Sequence, residues 1–162
     1  MVTPPKKPKR SLKRWLKSTS NRTFVVYPIV VVALELLIRR GTLAWEPLGV
    51  PLLIWGYAQY RLVGSFRLVR GGGGPGLDVP PDRIVDYGPY AYVRNPMYLG
   101  HLIFMLGLAI TFYSLPAFFL LVFHFVWFDR RVRRDERHLE QRFGVDYVAY
   151  KARVKRWVPG VF

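Results

Sequence analysis

The chain has 162 residues, 51% of them hydrophobic and 16% aromatic, and its 25 Lys+Arg against 10 Asp+Glu give a formal net charge of +15. That apolar and aromatic content excludes a disordered basic tail and a low-complexity chain. The absence of cysteine excludes a disulfide framework, a thiolate metal centre and a cysteine nucleophile.

Residues 1–22 hold eight basic side chains and no acid, with Pro4, Pro5 and Pro8 among them. They read as a disordered polybasic arm lying on anionic lipid headgroups. A basic tail also suits nucleic acid, but beside a membrane span the lipid surface is the better partner, and no nucleic acid is expected.

Four apolar stretches follow. Residues 24–38 carry one charge, Glu35, and residues 43–63 carry Glu46 near the start and Arg61 near the end; 98–115 and 117–128 are uncharged. A soluble helix shows an apolar stripe, whereas these are apolar all round. The expected fold is therefore all-α, a polytopic membrane bundle of about four helices, with spans near 24–40, 43–63, 97–114 and 116–133. A single membrane domain would occupy 23–159, with a cytosolic loop over 64–96 and a cytosolic helical tail over 134–162. The first stretch is too long for a signal-peptide core, and Arg39 and Arg40 follow it in place of a cleavage site. An even number of spans and the basic ends place both termini in the cytoplasm. Arg39 and Arg40 then fall on the outer side, where Glu35, one helical turn before Arg39, offsets part of their charge.

The loop holds Gly71, Gly72, Gly73, Gly74, Pro75 and Gly76 without the spacing of a phosphate-binding motif. It reads as a flexible linker, with a mobile lid as the functional alternative. Asn95-Pro96 then reads as an N-cap followed by the first helical residue. Ser114-Leu115-Pro116 marks a turn, with Arg94 twenty residues before it and Glu136 twenty after it. At 1.5 Å per residue each arm is about 30 Å long. A hairpin therefore brings Arg94–Asn95 level with Asp135–Glu136, either as a salt-bridge staple or as a polar pocket walled by Tyr90, Tyr92, Tyr98 and His101. His101 and His124 read as helix-contact residues, and the three scattered histidines make no metal-ligand pattern. Leu139, Phe143, Tyr147, Tyr150 and Val154 form an apolar stripe that breaks at Gly144 and docks the tail or closes the pocket, with Trp157 as an interfacial anchor.

These residues resemble the integral-membrane methyltransferases of the isoprenylcysteine carboxyl methyltransferase and phospholipid methyltransferase type. The family's RHPxYxG segment reads here Arg94-Asn95-Pro96-Met97-Tyr98-Leu99-Gly100. Its acidic pair reads Asp135-Glu136, followed by Phe143-Gly144, Tyr147, Tyr150 and Arg156-Trp157-Val158-Pro159; Gly88-Pro89-Tyr90 also fits. The likeness covers about residues 84–159. Two positions depart: Asn95 replaces the family's histidine, which removes an acid–base group, and Asp135 replaces a glutamate.

The resemblance implies S-adenosylmethionine as cofactor, without a Rossmann domain, and a lipophilic acceptor bearing a carboxylate, amine or thiol. The implied cofactor site is Tyr90, Arg94, Asn95, Pro96, Tyr98, Gly100, Asp135 and Glu136. Glu136 would pair with the cofactor ammonium and Arg94 with its carboxylate, while Tyr90 and Tyr98 turn their rings to the sulfonium. Arg94, Tyr98 and His101 are the implied catalytic residues, the last two as bases where the acceptor needs one. Two alternatives stand beside this reading: an NADPH oxidoreductase like the membrane sterol reductases, and a non-catalytic membrane anchor or partner subunit.

Overall fold

The computed structural model describes residues 12–73, 77 and 79–160. Residues 1–11 of the expected arm and 74–76 of the glycine run lie outside the described residues. From Leu12 onward the arm is helical except at Ser18, whose backbone is extended. The elements are α1 (Leu12–Lys17), α2 (Thr19–Asn21), a π-turn (Arg22–Val26), α3 (Tyr27–Ile38), α4 (Val50–Gly71), α5 (Pro96–Thr111), α6 (Leu115–Phe143) and α7 (Val145–Arg153). Single 3-10 turns at Pro47–Gly49 and Gly88–Ala91 lead into α4 and α5. The chain is thus all-helical among its described residues.

From α2 to α3 the chain is one rod, Thr19–Ile38. The π-turn within it has a local cause. Pro28 offers no N–H to the carbonyl four residues back and crowds it, so the preceding turn widens. This rod is the one helix, among the described residues, long and apolar enough by itself to cross a membrane. α5 is apolar but has sixteen residues. α4 carries Arg61, Arg67 and Arg70, and α6 is charged from Asp129 onward. Those charges, with the brevity of α5, keep the other three rods below that measure.

Helix ends also differ from expectation. α4 continues to Gly71, so the loop starts eight residues later than position 64. α6 has 29 residues, about 43 Å at 1.5 Å each. It therefore carries Asp135 and Glu136 on one rigid rod with the apolar residues of the hairpin. Ser114 caps it by accepting the amide of Ala117 at 3.1 Å. α6 ends at Gly144, whose φ of +56° is the left-handed conformation glycine adopts without strain.

α4 and α5 pack most extensively. Their seam is built of Gly49 and Gly56 on one side and Gly100 and Gly107 on the other, each pair seven residues apart. A Cβ placed on Gly56 would lie 2.5 Å from the Phe104 nitrogen and 2.6 Å from the Gly100 oxygen. Only glycine permits this backbone approach, which lets van der Waals contact hold two helices that have little polar chemistry between them.

At one end of the hairpin, Met97, Tyr98, Leu102, Phe128, Val132 and Trp157 form a buried cluster. Trp157 is 3% exposed and inside this core, not an interfacial anchor. The loop after α4 is not a free linker in its described parts. The amides of Asp82 and Arg83 donate to the Gly71 oxygen at 2.7 and 3.0 Å, the Gly73 amide donates to Asp82 at 2.7 Å, and Arg142 donates to the Pro81 oxygen at 3.1 Å. These bonds fold the loop back across the hairpin mouth.

Candidate functional site at the hairpin mouth

Equal helical arms do bring the polar groups to one depth. Arg94 Nε lies 3.0 Å from Glu136 Oε1, with both side chains buried. Arg94 Nη1 also donates to the carbonyl oxygens of Lys151, at 3.0 Å, and Val154. Arg156 reaches Glu136 from the tail, with Nη2 to Oε2 at 2.7 Å. Burial would raise the Glu136 carboxyl, but the hydrogen bonds from Arg156 and Arg94 hold it below the usual carboxylate range. Arg156 is raised in turn, chiefly by its hydrogen bond to Glu136. Asp129 anchors the far side of Arg156 at 3.4 Å and accepts from Trp157 Nε1 at 3.1 Å.

The tail is thereby fixed. After α7 it extends past Val93, which it pairs as an isolated parallel bridge at Lys155, and Arg94 N donates to the Lys155 oxygen at 2.9 Å. Tyr150 Oη donates to the Tyr90 oxygen at 2.8 Å. Burial pushes Tyr90 up to about 12, so its phenol stays protonated at physiological pH.

Beside this network opens a cavity of about 270 Å³, and a smaller pocket of about 60 Å³ shares part of its lining, Tyr90, Arg94, Asn95 and Asp135 included. Tyr90, Arg94, Asn95, Tyr98 and Asp135 line the larger cavity; Leu77, Val79, Pro80 and Pro81 of the folded-back loop roof it. Tyr98 Oη donates to Asp135 Oδ2 at 2.9 Å, and Arg131 Nε lies 3.8 Å from the same oxygen. The guanidinium of Arg131 stands 6.0 Å from the Tyr98 ring centroid.

The expected site residues divide into two groups. Tyr90, Arg94, Asn95, Tyr98 and Asp135 meet at the large cavity, and Glu136 lines the smaller pocket. Pro96, Gly100 and His101 face elsewhere. The Pro96 oxygen accepts from Gln59 at 2.9 Å, and Gly100 packs on the α4 backbone. His101 is fully buried, with Phe24 and Tyr60 rings each 4.7 Å away and Nδ1 2.9 Å from the Met97 oxygen. Helical rotation accounts for Pro96 and Gly100, each two residues, about 200°, from Tyr98; His101, three residues on, shares the Tyr98 side of α5 and lies one turn deeper, against Phe24, Tyr60 and Phe128. Tyr92 is largely exposed and is no wall. Asn95 holds the N-cap position but makes no side-chain cap; its amide lies 3.5 Å from the Arg156 oxygen.

Arg67, Arg131 and His138 line the cavity without having been singled out from the sequence. The last two were within reach: Arg131, Asp135, His138 and Leu139 recur at spacings of four, three and four from Arg131 and Asp135, one face of a helix. Arg67 carried no such signal, because it lies on a different helix from the motifs. Histidine also serves elsewhere in the bundle: His124 Nε2 meets Tyr27 Oη at 3.0 Å, tying α6 to α3.

Comparison with known proteins bears on this same segment. A family model described as phospholipid methyltransferase matches residues 74–146. A protein-S-isoprenylcysteine O-methyltransferase of Schizosaccharomyces pombe is 35% identical over 79 residues, 47% of this chain and 33% of that protein. Protein-S-isoprenylcysteine O-methyltransferase B of Arabidopsis thaliana is 37% identical over 82 residues, 49% of this chain and 41% of its own. The Saccharomyces cerevisiae protein of the same name is 32% identical over 79 residues, covering 47% and 32%. The match thus spans less than half the length of these curated relatives. No solved structure matches the chain. The segment that builds the hairpin mouth is the one that matches, and in it the chain is similar to phospholipid methyltransferases and to protein-S-isoprenylcysteine O-methyltransferases.

Proposed function

We propose that the chain is a multi-pass membrane methyltransferase that takes its methyl group from S-adenosylmethionine and gives it to a lipophilic acceptor at the cytoplasmic face. The observation that carries this is the roofed cavity formed by Tyr90, Arg94, Asn95, Tyr98 and Asp135 within the matched segment. The donor set suits the cofactor. Two phenol rings and a carboxylate at the cavity would suit a cation, and the guanidiniums there would suit a carboxylate. Bound there, S-adenosylmethionine would supply an electrophilic methyl on a positively charged sulfur.

The chain's own part is positioning and exclusion of water. Tyr90 and Tyr98 offer ring faces to positive charge. Arg94 is held rigid by Glu136 and by two tail carbonyls, which orients its remaining donors. The loop roof covers part of the cavity and limits its contact with water. The acceptor this favours is a carboxylate, such as that of an isoprenylated cysteine, because it needs no deprotonation. His101 lies outside the cavity and Tyr98 Oη is committed to Asp135, so neither residue serves as the base an amine or thiol would require.

In this reading the chain spans four times, and the basic ends favour both termini and the hairpin mouth on the cytoplasmic side. The polybasic arm then meets anionic headgroups. The test is transfer of labelled methyl from S-adenosylmethionine to an N-acetyl farnesylcysteine probe by the protein in proteoliposomes. Label recovered as a base-labile ester supports the reading; no transfer to this probe or to membrane lipid would sink it.

A further inference from the structure

We propose that Arg22 and Trp127 form a binding site for the phosphodiester of a membrane phospholipid, set in the crevice between α3 and α6 and apart from the cavity at the mouth. The proposal rests on the chain lying in a bilayer and not on methyl transfer.

Arg22 opens the π-turn, and that turn decides where it points. Five residues of uninterrupted α-helix would set Arg22 and Tyr27 about 140° apart. The π-turn closes instead through a bond from the Tyr27 amide to the Arg22 oxygen, five residues back, which returns Tyr27 to the side of Arg22. Both then face α6. Tyr27 Oη meets His124 Nε2 at 3.0 Å, and the Arg22 guanidinium stands 5.8 Å from the ring centroid of Trp127, one turn along the same face of α6. Arg131, a further turn on, addresses that ring from 5.7 Å.

Charge in this crevice is unbalanced. Arg22 Nε is buried and has no hydrogen-bond partner among the described residues. A guanidinium does not shed its proton to escape burial, so it calls for an anion. The chain holds no acid before Glu35. On α6 the acids that follow Trp127 are engaged: Asp129 with Arg133 and Arg156, and Asp135 with Tyr98 and Arg131.

The surroundings say what supplies the anion. The rod Thr19–Ile38 is long and apolar enough to cross a bilayer, and Arg22 is its fourth residue, at its basic end. Deeper along both walls of the crevice, exposed apolar side chains continue. They are Val30 and Leu34 on α3, three and seven residues past Tyr27, and Phe123 and Phe119 on α6, four and eight before Trp127. An acyl chain lying along them puts a headgroup phosphate at Arg22, and an indole suits the same depth. The planar guanidinium offers that phosphate two parallel donors, where an ammonium is a point charge.

Native mass spectrometry of the full chain released from detergent tests this, with titrations of dioleoylphosphatidylglycerol, dioleoylglycerol and glycerophosphate. Wild type is expected to hold one phosphatidylglycerol about tenfold more tightly than Arg22→Gln does. Dioleoylglycerol and glycerophosphate should each bind wild type about tenfold more weakly than the phospholipid. Lys17→Gln removes the same charge from an exposed residue of α1 and should stay within about twofold of wild type. Arg22→Lys should weaken the phospholipid about threefold, and it decides the matter alone if Arg22→Gln does not fold. The proposal is overturned if the Arg22 variant binds like wild type, if Lys17→Gln loses as much as Arg22→Gln, or if dioleoylglycerol matches the phospholipid. Glycerophosphate bound as tightly as the phospholipid would make this a site for free phosphate and overturn the lipid. A chain that transfers no methyl group leaves each of these outcomes as it stands.

Discussion

The two ends of the α5–α6 hairpin use the same chemistry to different effect. At the turn end, Glu35 accepts from Arg39 at 2.7 Å, Arg39 donates to the Tyr113 oxygen at 3.1 Å, and Tyr113 Oη donates to Glu46 at 2.7 Å. At the mouth, Glu136 holds Arg94 and Arg156 at similar distances. The turn-end bonds run from the buried Glu35 through the half-exposed Arg39 out to the exposed Tyr113, and they close a loop. The mouth bonds are buried, tie three chain segments together, and stand beside a partly open cavity of about 270 Å³. Paired charges do not make a site by themselves. The mouth differs because a loop roof, a tail strap and two tyrosines surround its charges.

The largest expected effect breaks the mouth and spares the turn. Arg94→Ala leaves Glu136 buried with one partner and frees two tail carbonyls. Loss of one member of a buried pair costs about 3–5 kcal/mol, and thermal unfolding in detergent reads it. S-adenosylmethionine binding should disappear as well. A melting temperature equal to wild type would show that the clasp contributes nothing.

Next comes the seam that sets both ends at their depths. Gly56→Leu drives a side chain into the Phe104 and Gly100 backbone. Overpacking of this kind costs about 1–3 kcal/mol, seen as a lower melting temperature, and the shift of α5 carries Tyr98 away from Asp135. Gly41→Ala meets no neighbouring atom, though its φ of +91° still strains an L residue. It should leave ligand binding unchanged.

Acid separates the ends more gently. The folded Glu136 carboxyl titrates below its ordinary value of 4.5. Its contribution is therefore fully present above that pH and is lost as the pH falls through the lowered value. Tail cleavage by pepsin should accelerate in that window in wild type. In Glu136→Gln it should be fast on both sides of it. An identical pH profile for the two proteins would contradict the clasp.

How much of this was legible in the sequence depends on what carries the information. The meeting of Arg94 with Glu136 follows from arm lengths, because helical rise is constant and the turn is marked by Ser114 and Pro116. The division within the expected site was less legible. The pattern places Pro96, Gly100 and His101 beside Tyr98, but helical rotation sends Pro96 and Gly100 to the α4 side, and His101 lies one turn deeper among Phe24, Tyr60 and Phe128. The glycine seam that explains Gly100 needs both helices at once, since Gly49 and Gly56 are remote in sequence. The loop read as a linker because glycine runs are pliant; its bonds to Gly71 and Arg142 are long-range facts that composition does not hold. The pairing of Arg156 with Glu136 was hidden for the same reason.

The smallest expected effect falls at the turn end and sharpens the contrast most. Tyr113→Phe deletes the hydroxyl that donates to Glu46. Tyr113 is exposed and Glu46 half-exposed, so water replaces the lost bond and the melting temperature should stay within measurement error. Glu46 keeps its bond from the Leu48 amide at 3.1 Å, and its own amide keeps the Thr111 oxygen at 2.7 Å, so the entry to α4 is preserved. S-adenosylmethionine binding and tail digestion should match wild type. A loss of binding from this substitution, a full hairpin length from the cavity, would mean that the two ends act as one coupled element and that the division between a closing turn and a working mouth is wrong.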